Sequence, residues 1–279
     1  MKYIIFLDVD GVLHPLNEKH LPSNVKMEEL YQRVEEEEEA GDSLEMTRIL
    51  EGEFMPDIMQ RLSKTIDTCA AAAATAATSN NSVSIVLSST WRETVPGRRA
   101  VNAKLKEFGI PIVSSCTPHL QSMHVRCTRA HEIVHWLCEK VASDKRGAGE
   151  ADAFRFVVLD DADLLGDETM QLGTEGSDYA ADFIRPYFVR CDKSVGLTET
   201  DCQQALSILQ ARMGKNGNNN REEEEEEEMA VGVVLPEEVV VLVNKEMEEI
   251  QQSLDSSSGG EEEEEDDDDG GKDKEEAKC

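Results

Sequence analysis

The chain has 279 residues and a formal net charge of −31, because 59 acidic residues stand against 28 lysines and arginines. Acidic runs at residues 35–39, 222–228 and 261–269 carry much of this charge, so the rest of the chain is only moderately acidic. This balance argues against broad electrostatic attraction to nucleic acid or to an anionic membrane surface. The length suits one catalytic domain with appendages.

The amino-terminal segment and the cysteines bear on the compartment. Only five apolar residues lie between Lys2 and Asp8, too few for the core of a signal peptide or for a membrane helix. The seven cysteines are scattered and form no CxxC pair, so we expect reduced thiols. We therefore predict a cytoplasmic protein, with the nucleus as the alternative, and no membrane partner.

The first predicted strand, residues 3–7, runs directly into Asp8 and Asp10. Side chains alternate along an extended strand, but the chain must turn at Gly11, so the two carboxylates can converge on one site. Taken alone, this pair could bind a metal, serve as acid and base, or cap a turn.

Predicted helices and strands then alternate along the chain. A variable, charge-rich insertion occupies residues 14–53, and residues 70–82 form a low-complexity loop that begins as an extension of the preceding helix. Apolar periodicity predicts helices over residues 56–73, 98–108, 128–141 and 198–213. Further strands are predicted at residues 83–87, 110–114, 154–159 and 187–190. This alternation predicts an α/β fold, a Rossmann-like three-layer sandwich with a mainly parallel sheet.

Polar residues follow three of these strands at their carboxyl ends. Ligands of parallel sheets bind beyond the carboxyl ends of the strands, so one site can gather all of these side chains. They are Asp8 and Asp10, Ser88 and Ser89, and Asp160 and Asp161.

This set of side chains suits phosphoryl transfer. Carboxylates from different strands are ligands for Mg²⁺, which would screen the repulsion between Asp8 and a phosphate dianion. One carboxylate can attack phosphorus to form an aspartyl-phosphate, while its neighbour donates a proton to the leaving oxygen and later activates water. Ser88 would hydrogen-bond the phosphoryl oxygens, and an arginine would offset the charge that builds up on them.

Three short motifs resemble those of the haloacid dehalogenase (HAD) superfamily. DVDGV at residues 8–12 is similar to its first motif, LS at 87–88 to its second, and VLDD at 158–161 to its fourth. The resemblance implies a HAD-like fold with a minimal or insertion-type cap. Finer details resemble the HAD domains associated with Swiss Army Knife RNA repair proteins, over about residues 2 to 212: HP at 14–15, LSSTWR at 87–92, Arg129 before EI at 132–133, WL at 136–137 and VGLT at 195–198.

The resemblance implies a role for each motif residue. Asp8 would be the nucleophile and a magnesium ligand. Asp10 would be the general acid and base, with its backbone carbonyl also facing the metal. Ser88 would hold the phosphoryl group. Asp161 would complete the metal site, with Asp160 as a second ligand or as a partner of the ligands, and the sequence does not rank the two.

The basic residue of the third HAD motif is usually a lysine. The best-placed basic residue in this chain is Arg129, at a predicted helix start, with Arg126 as the alternative. Ser89 and Arg92 are predicted to bind substrate, although Arg92 would equally suit a structural ion pair.

Tryptophans and histidines near the motifs are interpreted as structural. Trp91 and Trp136 are predicted to pack in the core. The histidines show no secure ligand spacing: His14, His119, His124, His131 and His135.

The carboxyl-terminal region is predicted to follow the HAD-like domain, which spans residues 1–213. Residues 214–230 are interpreted as an acidic linker and residues 255–279 as a disordered acidic tail, because neither can bury enough apolar area to fold. Residues 231–254 predict an amphipathic helix that could dock on the protein's own core or pair with a partner protein, although its valine-rich start could equally form a strand. Its apolar positions recur at three- and four-residue spacing: Val240, Val243, Met247, Ile250 and Leu254.

Together these features predict a magnesium-dependent phosphomonoester hydrolase of the HAD type. Its substrate would be a small phosphorylated molecule. The resemblance points to nucleotides or nucleic-acid end phosphates, although the acidic balance disfavours long RNA. The alternative is a non-catalytic HAD-like scaffold that presents its acidic segments to protein partners.

Overall fold

The computed structural model describes residues 2–16, 44–75, 82–120, 127–146, 154–165, 179–211 and 235–257. Short 3-10 helices lie at Thr90–Arg92 and Arg185–Tyr187. The strands and α-helices of these residues are, in chain order, β1 (Lys2–Leu7), α1 (Leu44–Gly52), α2 (Pro56–Thr75), β2 (Ser82–Leu87), α3 (Val95–Glu107), β3 (Val113–Cys116), α4 (Arg129–Arg146), β4 (Phe154–Asp160), α5 (Tyr179–Ile184), β5 (Phe188–Arg190), α6 (Glu199–Gln210) and α7 (Glu237–Ser257).

The strands form one sheet in the order β3-β2-β1-β4-β5, and every neighbouring pair is parallel. β1 lies at the centre, where Leu7 is in register with Leu87 of β2 and with Leu159 of β4. The carboxyl ends of these three strands therefore meet at one edge of the sheet. This topology confirms the predicted α/β fold with a parallel sheet.

Apolar clusters cover both faces of the sheet, because the side chains of β1 alternate between them. Ile5 and Leu7 belong to the cluster that α2, α3 and α6 cover. Ile4 and Phe6 belong to the cluster that α4, α5 and α7 cover. Helices on both faces make the three-layer sandwich that the alternating pattern predicts.

Two predicted helix boundaries differ from the observed ones for local reasons. α3 begins earlier than the predicted residue 98, because the Thr94 side chain caps it by accepting a hydrogen bond from the Gly97 N–H at 3.1 Å. α2 continues beyond the predicted residue 73 to Thr75, so the low-complexity segment 70–82 does begin as a helix extension. The alanines of this segment favour the helix, since alanine has the highest helix propensity.

The third strand lies later in the chain than the predicted residues 110–114. Ile110 belongs to the turn after α3, where its N–H donates to the Leu105 carbonyl at 2.8 Å. Two helices were not expected. α1 falls within the predicted insertion 14–53, of which residues 17–43 lie outside the described residues, and α5 is too short for apolar periodicity to reveal it.

The carboxyl-terminal helix α7 packs on the protein's own core. Leu235, Val239 and Val243 are buried in the cluster shared with α4 and α5, and Val240 and Met247 pack against that cluster half-buried. The segment is therefore a helix and not a strand, and one of its faces is covered within the chain. The side chains of Ile250 and Leu254 lie outside the described residues, as do the predicted acidic linker and most of the predicted tail.

Two further features concern membrane-spanning helices and cysteines. In the described part of the chain, no helix combines the length and apolar character needed to cross a membrane. The cysteines of the same residues carry free thiols, as expected: Cys69, Cys116, Cys127, Cys138, Cys191 and Cys202.

Candidate active site

The carboxyl ends of β1, β2 and β4 bring the three polar motifs to one edge of the sheet. Backbone hydrogen bonds extend the strand pairing one residue beyond the strands. The Asp8 N–H donates to the Leu159 carbonyl at 3.0 Å, and the Ser88 N–H donates to the Leu7 carbonyl at 2.9 Å. Asp8 and Ser88 are therefore held as a continuation of a buried sheet, where both are nearly inaccessible to solvent.

Three carboxylates cluster at this edge. Asp8, Asp160 and Asp161 each offer one oxygen, and these oxygens all lie within 4.8 Å of one another. Asp8 and Asp160 are buried and Asp161 is half-buried. The grouping brings together the predicted nucleophile and both residues of the predicted fourth motif.

One guanidinium faces this cluster. Arg129, the first residue of α4, places Nη1 2.8 Å from Asp8 Oδ2 and 2.8 Å from Asp160 Oδ2. The predicted basic residue thus contacts two of the three carboxylates. Arg126, the alternative, lies outside the described residues. When all are ionised, three carboxylates and one guanidinium leave an excess of two negative charges.

Burial and mutual repulsion raise the pKa values of all three carboxyls. Desolvation raises the pKa of Asp8, although Arg129 and an interaction with the Ser89 side chain oppose the rise. Desolvation and the charge of Asp8 raise the pKa of Asp160 to about 7 and that of Asp161 to about 6. Burial lowers the pKa of Arg129, but the neighbouring carboxylates raise it by more, so this residue stays charged. The cluster therefore favours binding of protons or of a cation.

Gly11 makes room for the Asp161 side chain. Its φ of 71° lies in the left-handed region, which residues with a Cβ rarely adopt. A Cβ at this position would overlap the carboxyl group of Asp161. The glycine after the first motif therefore permits both the turn and the close approach of the fourth motif.

Asp10 has partners that differ from those of the cluster. Asp10 Oδ1 lies 3.2 Å from His14 Nδ1, and Asp10 Oδ2 accepts a hydrogen bond from Trp91 Nε1 at 3.0 Å. The sequence interpretation missed both partners, because it assigned His14 and Trp91 only structural roles. The position of His14 four residues after Asp10 was the one available signal.

The predicted phosphoryl-binding serines lie beside Asp8. Ser88 and Ser89 are both buried. Ser88 Oγ has no hydrogen-bond partner among the described residues, although it follows a strand whose neighbour carries Asp8. An unpaired buried hydroxyl has a strong tendency to acquire a partner, which a substrate oxygen could supply.

Arg92 contacts a different carboxylate. Its Nη2 lies 2.8 Å from Glu132 Oε2, and the Arg92 and Glu132 side chains are only 5% and 1% exposed. The other oxygen of Glu132 accepts a hydrogen bond from the Leu120 N–H at 2.8 Å. This geometry places Arg92 in an ion pair, one of the two roles considered for it, and its buried Nε and Nη1 have no hydrogen-bond partner among the described residues.

Trp136 packs as expected. Its ring meets Phe6 edge-on, with 5.3 Å between ring centroids, and its Nε1 donates to Ser115 Oγ at 3.1 Å. The two tryptophans of the chain thus differ: Trp136 contributes to the core, and Trp91 donates to a predicted catalytic carboxylate.

Comparison with known proteins agrees with the motifs. Residues 4–202 match a family described as the HAD domain in Swiss Army Knife RNA repair proteins, and the match spans the sheet-edge site. No curated protein and no solved structure was found to match the chain. Membership of a HAD family indicates a hydrolase- or phosphatase-like function. The strand order, the strand-end carboxylates and the family match agree, and the chain belongs to the HAD domain family of Swiss Army Knife RNA repair proteins.

Proposed function

We propose that this protein is a magnesium-dependent phosphomonoester hydrolase that forms an aspartyl-phosphate on Asp8. The observation that carries the proposal is the clustering of Asp8, Asp160 and Asp161 around Arg129. A carboxylate nucleophile needs positive charge nearby, since it would otherwise repel the phosphate dianion that it attacks. Membership of a HAD family supports the same chemistry.

The donor set suits Mg²⁺, which takes oxygen ligands and commonly binds through one or two carboxylates plus water and substrate phosphate. Asp8 and Asp161 would hold the ion, and Asp10 would add its backbone carbonyl. Asp160 would support them, since its two oxygens already accept hydrogen bonds from Arg129 Nη1 and from the Ala162 N–H. When bound, Mg²⁺ would neutralise the excess negative charge and lower the repulsion between Asp8 and a phosphate dianion.

The protein's own residues account for both chemical steps. Asp8 attacks phosphorus, and the bond from phosphorus to the leaving oxygen breaks as Asp10 gives its proton to that oxygen. Asp10, now ionised, takes a proton from water, and the water oxygen attacks the phosphorus of the aspartyl-phosphate. Inorganic phosphate leaves, the Asp8 carboxylate is restored, and Asp10 is protonated again. Ser88 Oγ would donate to a phosphoryl oxygen, and Arg129 would offset the charge on the others.

We infer a substrate class from the family description and from the charge. The family's description supports a phosphate at an RNA end or on a nucleotide. The net charge of −31 opposes long RNA, because polyanions repel one another, so we favour small phosphorylated molecules and short ends. Comparing hydrolysis of free nucleotides with that of end-phosphorylated oligonucleotides would separate these classes.

The test is hydrolysis of 4-nitrophenyl phosphate and of a phosphomonoester panel by the full chain, with and without Mg²⁺. We expect metal-dependent hydrolysis that falls about a thousand-fold or more in Asp8→Asn, since loss of a nucleophile removes most catalysis. Asp67→Asn, an exposed position on α2, is the matched control and should behave as wild type.

Two results would overturn the proposal. One is a correctly folded wild type that hydrolyses no member of the panel. The other is an Asp8→Asn variant that keeps its activity. Partner binding that survives Asp8→Asn, together with the first result, would favour the non-catalytic scaffold presenting acidic segments.

A further inference from the structure

The proposed proton donor, Asp10, is held by side chains from two different segments. His14 belongs to the turn that follows β1, and its Nδ1 lies 3.2 Å from Asp10 Oδ1. Trp91 belongs to the 3-10 helix after β2, and its Nε1 donates to Asp10 Oδ2 at 3.0 Å. Each carboxyl oxygen of Asp10 therefore has its own partner, although the Asp10 side chain is 37% exposed.

Both partners are fixed in turn by the fold. The His14 N–H donates to the Val9 carbonyl at 3.0 Å, and the His14 carbonyl accepts from the Gly11 N–H at 2.7 Å. On the far side of the ring, His14 Nε2 lies 3.3 Å from Glu53 Oε2, an ion-pair distance without hydrogen-bond geometry. Such support limits the positions that the imidazole can take.

Trp91 is held through its ring. The indole meets Phe54 nearly edge-on, with 5.3 Å between the ring centroids. Phe54 follows Glu53 in the chain, so neighbouring residues after α1 support both partners of Asp10. The same segment thus contacts the two side chains that hold the carboxyl group.

We propose that His14 and Trp91 are positioning residues that aim the Asp10 carboxyl group at the leaving-group oxygen, with Glu53 orienting His14. The inference rests on the proposed function and names residues that act through Asp10. An aspartate carboxyl group that is free to rotate about its side-chain torsions would often point away from the substrate. Small misplacements of a catalytic group are costly in rate. Histidine suits the task because its ring nitrogen can donate to a carboxylate or accept from a carboxylic acid, the two forms that Asp10 alternates between.

This role predicts a dependence on the leaving group. An alkyl alcohol needs a proton as it leaves, whereas 4-nitrophenolate leaves without one, because general acid catalysis matters only where the departing oxygen is basic. Misplacing Asp10 should therefore lower kcat/KM for an alkyl phosphate and spare kcat/KM for 4-nitrophenyl phosphate. With the aryl substrate, kcat and KM should fall together, because hydrolysis of the aspartyl-phosphate still needs Asp10 as a base.

The experiment compares ethyl phosphate with 4-nitrophenyl phosphate in wild type, His14→Ala and Trp91→Phe. We expect both variants to lose about ten-fold or more in kcat/KM for ethyl phosphate, a part of the usual general-acid contribution, and less than about three-fold for the aryl ester. His14→Asn, whose amide can replace Nδ1, should recover most of the loss. Trp91→Phe keeps an aromatic ring beside Phe54 and removes the N–H together with part of the indole, a loss of volume that Trp136→Phe matches.

Matched controls separate positioning from general damage. Trp136→Phe removes an indole hydrogen bond to Ser115 within the core, and His119→Ala removes an accessible histidine 3.3 Å from Glu93. Both should leave the ratio of the two kcat/KM values unchanged. If His14→Ala does not fold by circular dichroism, His14→Asn and Trp91→Phe still test the proposal, since Trp91→Phe alone must change the ratio.

Each outcome separates this inference from the function on which it rests. Equal losses on the two substrates, or no loss, in variants of an enzyme whose activity still requires Asp8 would overturn the positioning role alone. A folded wild type without hydrolysis would overturn both proposals.

Discussion

Two arginines of this protein, the buried Arg92 and the half-buried Arg129, face carboxylates in opposite ways. Arg92 meets one carboxylate, Glu132, whose second oxygen accepts from the Leu120 N–H. Arg129 meets Asp8 and Asp160 at the same distance of 2.8 Å, and Asp161 lies in the same cluster. The first pair is balanced in charge, whereas the second has too little positive charge for its carboxylates.

We infer from this difference that the first pair supports the fold and the second belongs to the proposed active site. A buried ion pair with balanced charge attracts no further counter-charge, and removing one partner leaves a buried charge alone. A cluster with excess negative charge has raised pKa values and attracts a cation or protons. The comparison predicts that variants of the two arginines will separate stability from catalysis.

The largest expected effect is on stability, at the balanced pair. Arg92→Met leaves Glu132 buried without its counter-charge and should lower the free energy of unfolding by about 3–5 kcal/mol. Glu132→Gln should lower the free energy of unfolding by a similar amount, because it leaves the buried Arg92 without its counter-charge. Urea denaturation measures both, and Lys104→Ala, at the surface pair with Glu107, is the control with an expected cost below about 1 kcal/mol. An Arg92→Met variant as stable as Lys104→Ala would show that the buried pair is not structural.

The next effect is on catalysis, at the unbalanced cluster. Arg129→Met should lower kcat by about 10²- to 10³-fold, because a charge that stabilises the transferring phosphoryl group is lost. Its cost in stability should be smaller than that of Arg92→Met, since the carboxyls can take up protons or bind the cation more fully. Steady-state kinetics and urea denaturation on both variants test whether Arg129→Met loses mainly kcat and Arg92→Met mainly stability. If Arg129→Met lost stability and kept kcat, the two pairs would have to exchange roles.

A smaller effect is expected where the cluster depends on backbone shape. Gly11→Ala should cost about 1–3 kcal/mol from its positive φ and should also push Asp161 aside, weakening Mg²⁺ binding. Gly109→Ala is a matched control, because Gly109 has a φ of 70° but open space where the Cβ would lie. Both variants should lose stability, and only Gly11→Ala should lose the Mg²⁺-induced rise in Tm. An equal Mg²⁺-induced rise in Tm in Gly11→Ala and Gly109→Ala would show that Asp161 is not a metal ligand.

The smallest effect concerns pH. The folded-state pKa values of Asp160 and Asp161 are raised from 3.8 to about 7 and about 6, so both carboxyls favour their neutral forms in the folded protein. Their stabilising contribution is therefore complete below about pH 4 and is lost as pH rises through 7. In EDTA, the free energy of unfolding of the wild type, compared with that of Asp160→Asn, should fall as pH rises over this range. A wild type that instead gains stability over this range, relative to Asp160→Asn, would contradict the excess of negative charge.

The sequence was sufficient to identify site residues that lie at the carboxyl end of an apolar strand. Asp8 and Ser88 directly follow apolar strands and Asp160 ends one, and parallel strands bring their carboxyl ends together. Trp91 was missed as a partner of Asp10, because it lies 81 residues from Asp10 and only the folded sheet joins them. The role of Arg92 stayed open for the same reason, since Glu132 lies 40 residues further along.

The carboxyl-terminal helix shows a second limit of sequence patterns. The spacing of Val243 and Met247 indicates that one helix face is apolar, but it does not say what covers that face. The structure packs α7 against the cluster of α4 and α5, so the partner is the protein's own core.

The most direct test of Asp8 as the nucleophile is to trap the covalent aspartyl-phosphate. Wild-type protein, mixed with 4-nitrophenyl phosphate and Mg²⁺ and then quenched in acid, should carry one phosphoryl group that is stable in acid and released by base. Peptide mapping should locate it at Asp8, and Asp8→Asn should carry none. A protein that hydrolyses the substrate without this adduct, or that carries it at Asp160 or Asp161, would contradict the assignment of Asp8 as the nucleophile.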